Sequence, residues 1–277
     1  MSIKAKIKKV IKTLNGKEKI PIVEVQQETQ LLTNKVVLIT GGSGGIGFAI
    51  AKKCLASGAK VIIAGTSEQK LNAKVKGCDT RSIKALVLNL KDVSSFEAKI
   101  QEACGLFEEN RIDVLVNSAG VNPAKKFFDI TEKDFDTTMA VNVKGIFFMC
   151  QAMAKYMIEN KIKGHILNLS SSSALRPAWG PYEMSKWTIK GFTVGLADTL
   201  IKHGIVVNAI APGPTATPML GKEEGDDLDL PNNPTGRYAM PEEIAELAVM
   251  LISDAGKLVV GDTLYATGGA GTITMHN

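Results

Sequence analysis

The stretch Thr40-Gly41-Gly42-Ser43-Gly44-Gly45-Ile46-Gly47 constrains the fold more than any other part of the chain. The continuous apolar run Val36-Val37-Leu38-Ile39 precedes it, and residues 48–55 follow with apolar side chains at helical spacing. The glycines therefore sit in a strand-to-helix turn, the opening half of a βαβ unit. Glycine permits the positive backbone angles of a tight turn and lets the main chain approach a pyrophosphate. The free N–H groups of the helix start then face the anion.

Beyond the turn, short apolar runs alternate with helical patterns. Strands are predicted at 36–39, 60–64, 83–89, 113–116, 165–169, 205–210 and 262–266. Helices are predicted over 67–76, 93–109, 135–159, 182–202 and 241–253. This alternation implies one α/β domain: a doubly wound, Rossmann-type, mostly parallel sheet with helices on both faces. Right-handed connections put ligands at the carboxyl ends of the strands. At 277 residues the chain is long enough for one such domain with a well-buried core. The domain is placed at 34–277, behind a basic arm and linker at 1–33. Residues 214–240, rich in Pro, Gly and Asp, read as a mobile flap.

Charge separates the arm from the body. Residues 1–20 hold seven lysines against Glu18, a charge of +6 within a total of +5, so the body is near neutral. No nucleic-acid groove is expected. Within the arm Ile3, Ile7, Val10, Ile11 and Leu14 fall at helical spacing between lysines. Two readings stay open: a basic amphipathic helix on an acidic membrane surface or partner, or a short helix against its own body or a sister subunit. At roughly three turns it would be marginal alone. No run reaches membrane-spanning length and no secretory signal opens the chain. Cys54, Cys78, Cys104 and Cys150 are too scattered for a metal or redox pair, as are the three histidines. Reduced, mostly buried thiols fit a cytoplasmic protein.

Three further motifs border the same crevice. Asn117-Ser118-Ala119-Gly120 follows the fourth strand, and Ser170 to Ser173 follow the fifth. Tyr182 and Lys186 open the next helix, four residues apart and so on one face. An ammonium beside a phenol favours the phenolate and brings its pKa toward working pH. A hydroxyl from Ser171 can donate to a carbonyl oxygen on which negative charge develops.

Together these motifs make residues 34–270 resemble the short-chain dehydrogenase/reductase family. The likeness rests on the glycine turn at 40–47, Asn117 to Gly120, Asn142 in Val-Asn-Val-Lys-Gly, the serines at 170–173, Tyr182 with Lys186, and Pro212-Gly213-Pro214-Thr215. It implies an NAD(P)-dependent enzyme interconverting a carbonyl and a secondary alcohol. Tyr182 would be the acid/base, Lys186 its modulator and a ribose ligand, Ser171 the carbonyl-polarising hydroxyl, and Asn142 the support of a water relay. Gly41, Ser43, Gly45, Ile46 and Gly47 would meet the pyrophosphate. Thr66, Ser67, Asn89, Leu90, Asn117, Ala119 and Gly120 would line the adenosine side, and Pro212, Gly213 and Thr215 the nicotinamide amide. The interval from Ser171 to Tyr182 is about two residues shorter than is usual in the family, which leaves Ser170 and Ser172 as alternatives. Gly65 stands where NAD-preferring members carry an acid, so NADP is expected over NAD. The stretch from Pro234 to Gly269 resembles 3-oxoacyl-carrier-protein reductases and sugar-alcohol dehydrogenases, leaving 3-oxoacyl thioesters and sugars or polyols as alternative substrate classes. The family also implies a homotetramer paired through the helices at 135–159 and 182–202. The competing reading is a nucleotide-sensing or scaffolding protein that kept the fold.

Overall fold

The computed structural model describes residues 30–223 and 225–273. The basic arm and the last four residues lie outside the described residues. Seven parallel strands stand in the order β3-β2-β1-β4-β5-β6-β7. They are β1 (Val36–Thr40), β2 (Lys60–Gly65), β3 (Ile83–Val87), β4 (Val114–Asn117), β5 (His165–Leu169), β6 (Val206–Pro212) and β7 (Thr263–Ala266). The helices between them are α1 (Gly45–Ala56), α2 (Glu68–Lys76), α3 (Phe96–Cys104), α4 (Glu132–Met139), α5 (Ile146–Glu159), α6 (Pro181–Leu200) and α7 (Pro241–Ile252). After β3 the chain returns to the other side of β1 as β4. The crevice above β1 and β4 is therefore the topological switch point.

The two-residue period of a strand explains both cores. In β1, Val36 and Leu38 join Ile62, Leu115, Ile166 and Val207 under α3, α5 and α6. Val37 and Ile39 point the other way and join Val61, Ile63, Val116 and Leu167 under α1, α2 and α7. A strand sandwiched this way has no polar face, which is why the runs read as continuously apolar. Each fully buried Leu or Ile contributes roughly 1.5–3 kcal/mol of transfer free energy.

The helices differ from expectation at their ends. The long helix begins earlier, at Glu132, because Thr131 and Asp134 form a reciprocal capping box. It also contains a π turn, Ala140–Gly145, before α5. The helix predicted over 93–109 is shorter: a 3₁₀ turn at Val93–Ser95 leads into α3, which Gly105 closes. All four cysteines are free, with Cys54, Cys104 and Cys150 buried. Among the described residues, no helix is long and apolar enough to cross a membrane, and no acidic, His or Cys cluster could hold a metal ion.

Candidate active site

The glycine turn is a cradle built from three loops. Gly41 takes φ +66, and a Cβ there would lie 2.7 Å from the Ala119 backbone that follows β4. At Gly45 a Cβ would come within 2.6 Å of Thr217 Cγ2 from the segment after β6. At Gly47 it would strike the Gly41 carbonyl. Side chains are thus excluded at all three positions, and the main chain is the lining. Gly44 caps α1 without a side-chain hydrogen bond, so the first-turn N–H groups of Gly45, Ile46 and Gly47 have no intrahelical acceptor. Free N–H groups at a helix start favour a nearby anion. Ser43 sits beside Gly65: a Cβ on Gly65 would lie 3.7 Å from Ser43 Oγ, an ordinary contact.

The second half of the crevice is the junction of β5 with α6. Pro181 occupies the first turn of α6, with Gly180 as N-cap. This presents Tyr182 at the crevice and Lys186 one turn deeper. Lys186 is only 5% exposed. Its Nζ donates to the Leu169 carbonyl at 2.8 Å, and Ser170 Oγ donates to the Lys186 carbonyl at 3.0 Å. These reciprocal bonds clamp the lysine against the end of β5 and occupy the Ser170 hydroxyl. The Ser171 hydroxyl instead lies near enough to the Tyr182 phenol to lower its pKa, and its oxygen accepts from Ser173 N–H at 3.1 Å. Of the three candidate serines, Ser171 is the one placed with Tyr182; Ser172 is buried in the 3₁₀ turn Ser172–Leu175.

The electrostatics depart from the sequence expectation. Burial pushes the Tyr182 phenol up, the Ser171 hydroxyl pulls it down, and the Glu183 carboxylate raises it again. The net direction is upward. Lys186 does not reverse this: its Nζ is turned to the Leu169 carbonyl, 5.4 Å from the Tyr182 ring centre. Burial brings Lys186 itself down to about 8. A raised phenol keeps its proton at neutral pH, the state required of a proton donor.

Asn142 lies in the π turn, fully buried. Its Oδ1 accepts from Val121 N–H at 2.9 Å, while Nδ2 donates to the Val121 carbonyl at 2.9 Å and to Ser185 Oγ at 3.1 Å. Ser185 in turn donates to the Tyr182 carbonyl at 2.6 Å. Asn142 therefore ties the loop after β4 to the start of α6. A Cβ on Gly120 would lie 3.5 Å from Asn142 Oδ1 and 3.7 Å from Lys186 Nζ, so the three meet at one point.

The remaining predicted residues divide. Asn117 is fully buried and faces inward: Nδ2 donates to Asn168 Oδ1 at 3.0 Å and to Cys150 Sγ at 3.2 Å. Its side chain is a strut between β4 and β5. Asn89 is exposed at the crevice edge, with Oδ1 accepting from Lys91 N–H, and Leu90 is buried against Gly145. Thr66 is exposed, and Ser67 caps α2 by accepting from Lys70 N–H. Pro212 ends β6, and Gly213 lies against Thr267, where a Cβ would be 2.6 Å from the carbonyl oxygen. The Thr215 hydroxyl is buried and donates back to the Gly213 carbonyl. Thr217, which sequence reasoning passed over, is the threonine that reaches the glycine turn. The signal was present as a second threonine two residues on, but only the folded segment separates the two.

A family model described as short chain dehydrogenase matches residues 35–227. Gluconate 5-dehydrogenase of Gluconobacter oxydans is 34% identical over 245 residues, 86% of this chain and 95% of that protein. The 3-oxoacyl-[acyl-carrier-protein] reductase of Thermotoga maritima is 34% identical, over 86% of this chain and 98% of its own length. The crystal structure of a short chain dehydrogenase from Bacillus anthracis superposes with TM-score 0.81 at 31% identity, over 89% of this chain and all of that one. A 3-ketoacyl-(acyl-carrier-protein) reductase from Brucella melitensis, complexed with NADH, gives TM-score 0.78 at 28% identity, over 87% of this chain and all of that one. The chain belongs to the short-chain dehydrogenase/reductase family. It is an NAD(P)-dependent oxidoreductase.

Proposed function

We propose that the protein reduces a small-molecule carbonyl to a secondary alcohol, and runs the reverse oxidation, with NADP preferred to NAD. The observation that carries this reading is the meeting of Ser171, Tyr182 and Lys186 at the end of β5, across the crevice from the glycine cradle. Gly41, Ser43, Gly45, Ile46 and Gly47 would hold the pyrophosphate, with Thr217 closing over it. Thr66, Ser67, Asn89, Leu90, Ala119 and Gly120 would hold the adenosine half, Asn117 supporting them from below. Pro212, Gly213 and Thr215 would shape the nicotinamide end. When bound, the nicotinamide supplies the hydride.

The chain's own residues handle the proton and the charge. Ser171 Oγ–H donates to the carbonyl oxygen, where negative charge gathers. Tyr182 O–H gives that oxygen its proton. Lys186 remains cationic at neutral pH and steadies the tyrosinate left behind. Asn142, through Ser185 and Val121, keeps Lys186 and Tyr182 in register. A pure binding protein has no need of these four groups together.

NADP preference follows from Gly65. No carboxylate stands at the end of β2 to bind a ribose diol or repel a 2′-phosphate, while Thr66 and Ser67 offer hydroxyls. Sugars or polyols and 3-oxoacyl thioesters are the two substrate classes suggested by the relatives. Four free thiols fit a cytoplasmic setting, and the outer faces of α5 and α6 fit a homotetramer.

The test is NADPH and NADH oxidation with panels of ketones, sugars and acyl thioesters. NADPH should be bound more tightly, and Gly65→Asp should reverse the order, since a Cβ there meets only ordinary contacts. Tighter NADH binding by the unaltered protein would count against the assignment.

A further inference from the structure

Among the described residues, Arg176 is the one arginine without an ion pair. The chain has four. Arg81 pairs with Asp79, Arg111 with Asp113, and Arg237 with Glu243. Among the described residues Arg176 makes no ion pair, although it is exposed and its backbone is fixed on both sides. Its N–H donates to the Ser173 carbonyl at 3.3 Å, and its carbonyl accepts from Trp187 Nε1 at 2.9 Å. Trp187 follows Lys186 on α6, so the anchor of Arg176 is the helix that carries Tyr182 and Lys186.

Its position relative to the crevice follows from its neighbours. Arg176 ends the short 3₁₀ turn that starts directly after Ser171. A Cβ on Gly271 would lie 3.4 Å from Arg176 Nε and 3.7 Å from its Cγ, so the C-terminal segment runs along the side chain. Two tight turns, Ala270 N–H to the Thr267 carbonyl and Thr272 N–H to that of Gly269, keep Gly271 close to Thr267. Thr267 packs on Gly213 at the nicotinamide end. The wall Gly213–Thr267–Gly271–Arg176 thus joins the nicotinamide loop to the serine loop, with the guanidinium at its outer end. Of the cations between β6 and α7, Arg237 is engaged by both oxygens of Glu243, whereas Lys222 Nζ donates to the Asp227 carbonyl and keeps its charge.

We infer that Arg176 selects the substrate: it grips an oxyanion, a carboxylate or a phosphate ester, at the end of the molecule away from the reacting carbonyl. A planar guanidinium holds either group through two parallel hydrogen bonds. The backbone clamp fixes the loop, so the contact costs only the ordering of the arginine side chain itself. This inference rests on the oxidoreductase reading of the same crevice.

The test uses the full chain with NADPH and ketones matched in size: an acid, its neutral amide, and a phosphate ester. The unaltered protein should prefer a charged ketone to the amide by about 10- to 100-fold in kcat/KM, the scale of a charge-assisted hydrogen bond. Arg176→Gln should erase that preference mainly through KM, and Arg176→Lys should restore part of it. Whichever oxyanion gives the larger preference is the source. Equal use of acid, ester and amide, or a preference that survives Arg176→Gln, overturns the inference. So does bound NADPH with no turnover of any charged ketone. Failure to bind NADPH at all would instead bring down the underlying oxidoreductase reading.

Discussion

Lys186 holds its charge against burial, and that cost has a pH signature. In the unfolded chain a lysine titrates near 10.5; in the fold Lys186 is brought down to about 8. Between those values the unfolded state binds the extra proton, so stability rises with pH across that window and is lost as pH falls through 8. The penalty at pH 7 is on the order of 3 kcal/mol. Lys186→Met removes it and forfeits the hydrogen bond to Leu169, a loss of roughly 1 kcal/mol. Urea denaturation at pH 7 should therefore find the variant as stable as the parent or more so, while turnover collapses. A variant several kcal/mol less stable would mean that the ammonium is not strained. The pair Tyr182 and Lys186 was legible in the sequence from the four-residue spacing together with its place after the fifth strand, on the crevice of the glycine turn. The direction of the Tyr182 shift was not, because it depends on burial and on the Leu169 carbonyl, which is a partner only after β5 and α6 dock.

Among the elements, β5 does the most to assemble the site, and its other end is titratable. His165 opens β5 and is almost fully buried. Burial first, then the charge of Lys35, brings it down to about 4 from its usual 6.5. The folded protein keeps the ring neutral while the unfolded chain takes up a proton. This contribution is whole above pH 6.5 and is lost as pH falls through 4, on the order of 3 kcal/mol in all. Chemical denaturation from pH 7 to 4 should show a shallower acid limb in His165→Gln; an unchanged slope would exclude His165 as its source. The five inner strands were legible because strands covered on both faces are largely apolar; the edge strands β3 and β7 are only partly buried and were found from their place in the strand–helix alternation. The π turn at Ala140–Gly145 was not. Hydrophobic spacing over 135–159 fits an uninterrupted helix, and nothing in it marks the extra residue that sets Asn142 against Val121 and Ser185. Thr217 was missed for a related reason: its contact with Gly45 joins segments far apart in sequence.

At the scale of the whole molecule, the described residues leave apolar side chains uncovered on the long helices. Phe147 on α5 and Trp187 and Val194 on α6 are each more than 40% exposed. Phe147 and Phe192 already stack across the two helices, ring centres 5.2 Å apart. A face of this kind calls for a cover, and the homotetramer proposed above would supply one from a second copy of the same helices. Light scattering after size exclusion should return a tetramer, and charged substitutions at Phe147 and Val194 together should yield smaller species. A monomer of the full-length chain would sink the assembly. The central claim, however, is that one crevice joins a dinucleotide cradle to a proton donor, and Tyr182→Phe tests it most directly. Removing the hydroxyl while keeping the ring should lower NADPH-dependent carbonyl reduction by at least ~100-fold, with NADPH bound about as tightly as before, as read by fluorescence titration. Undiminished turnover in that variant would contradict the account.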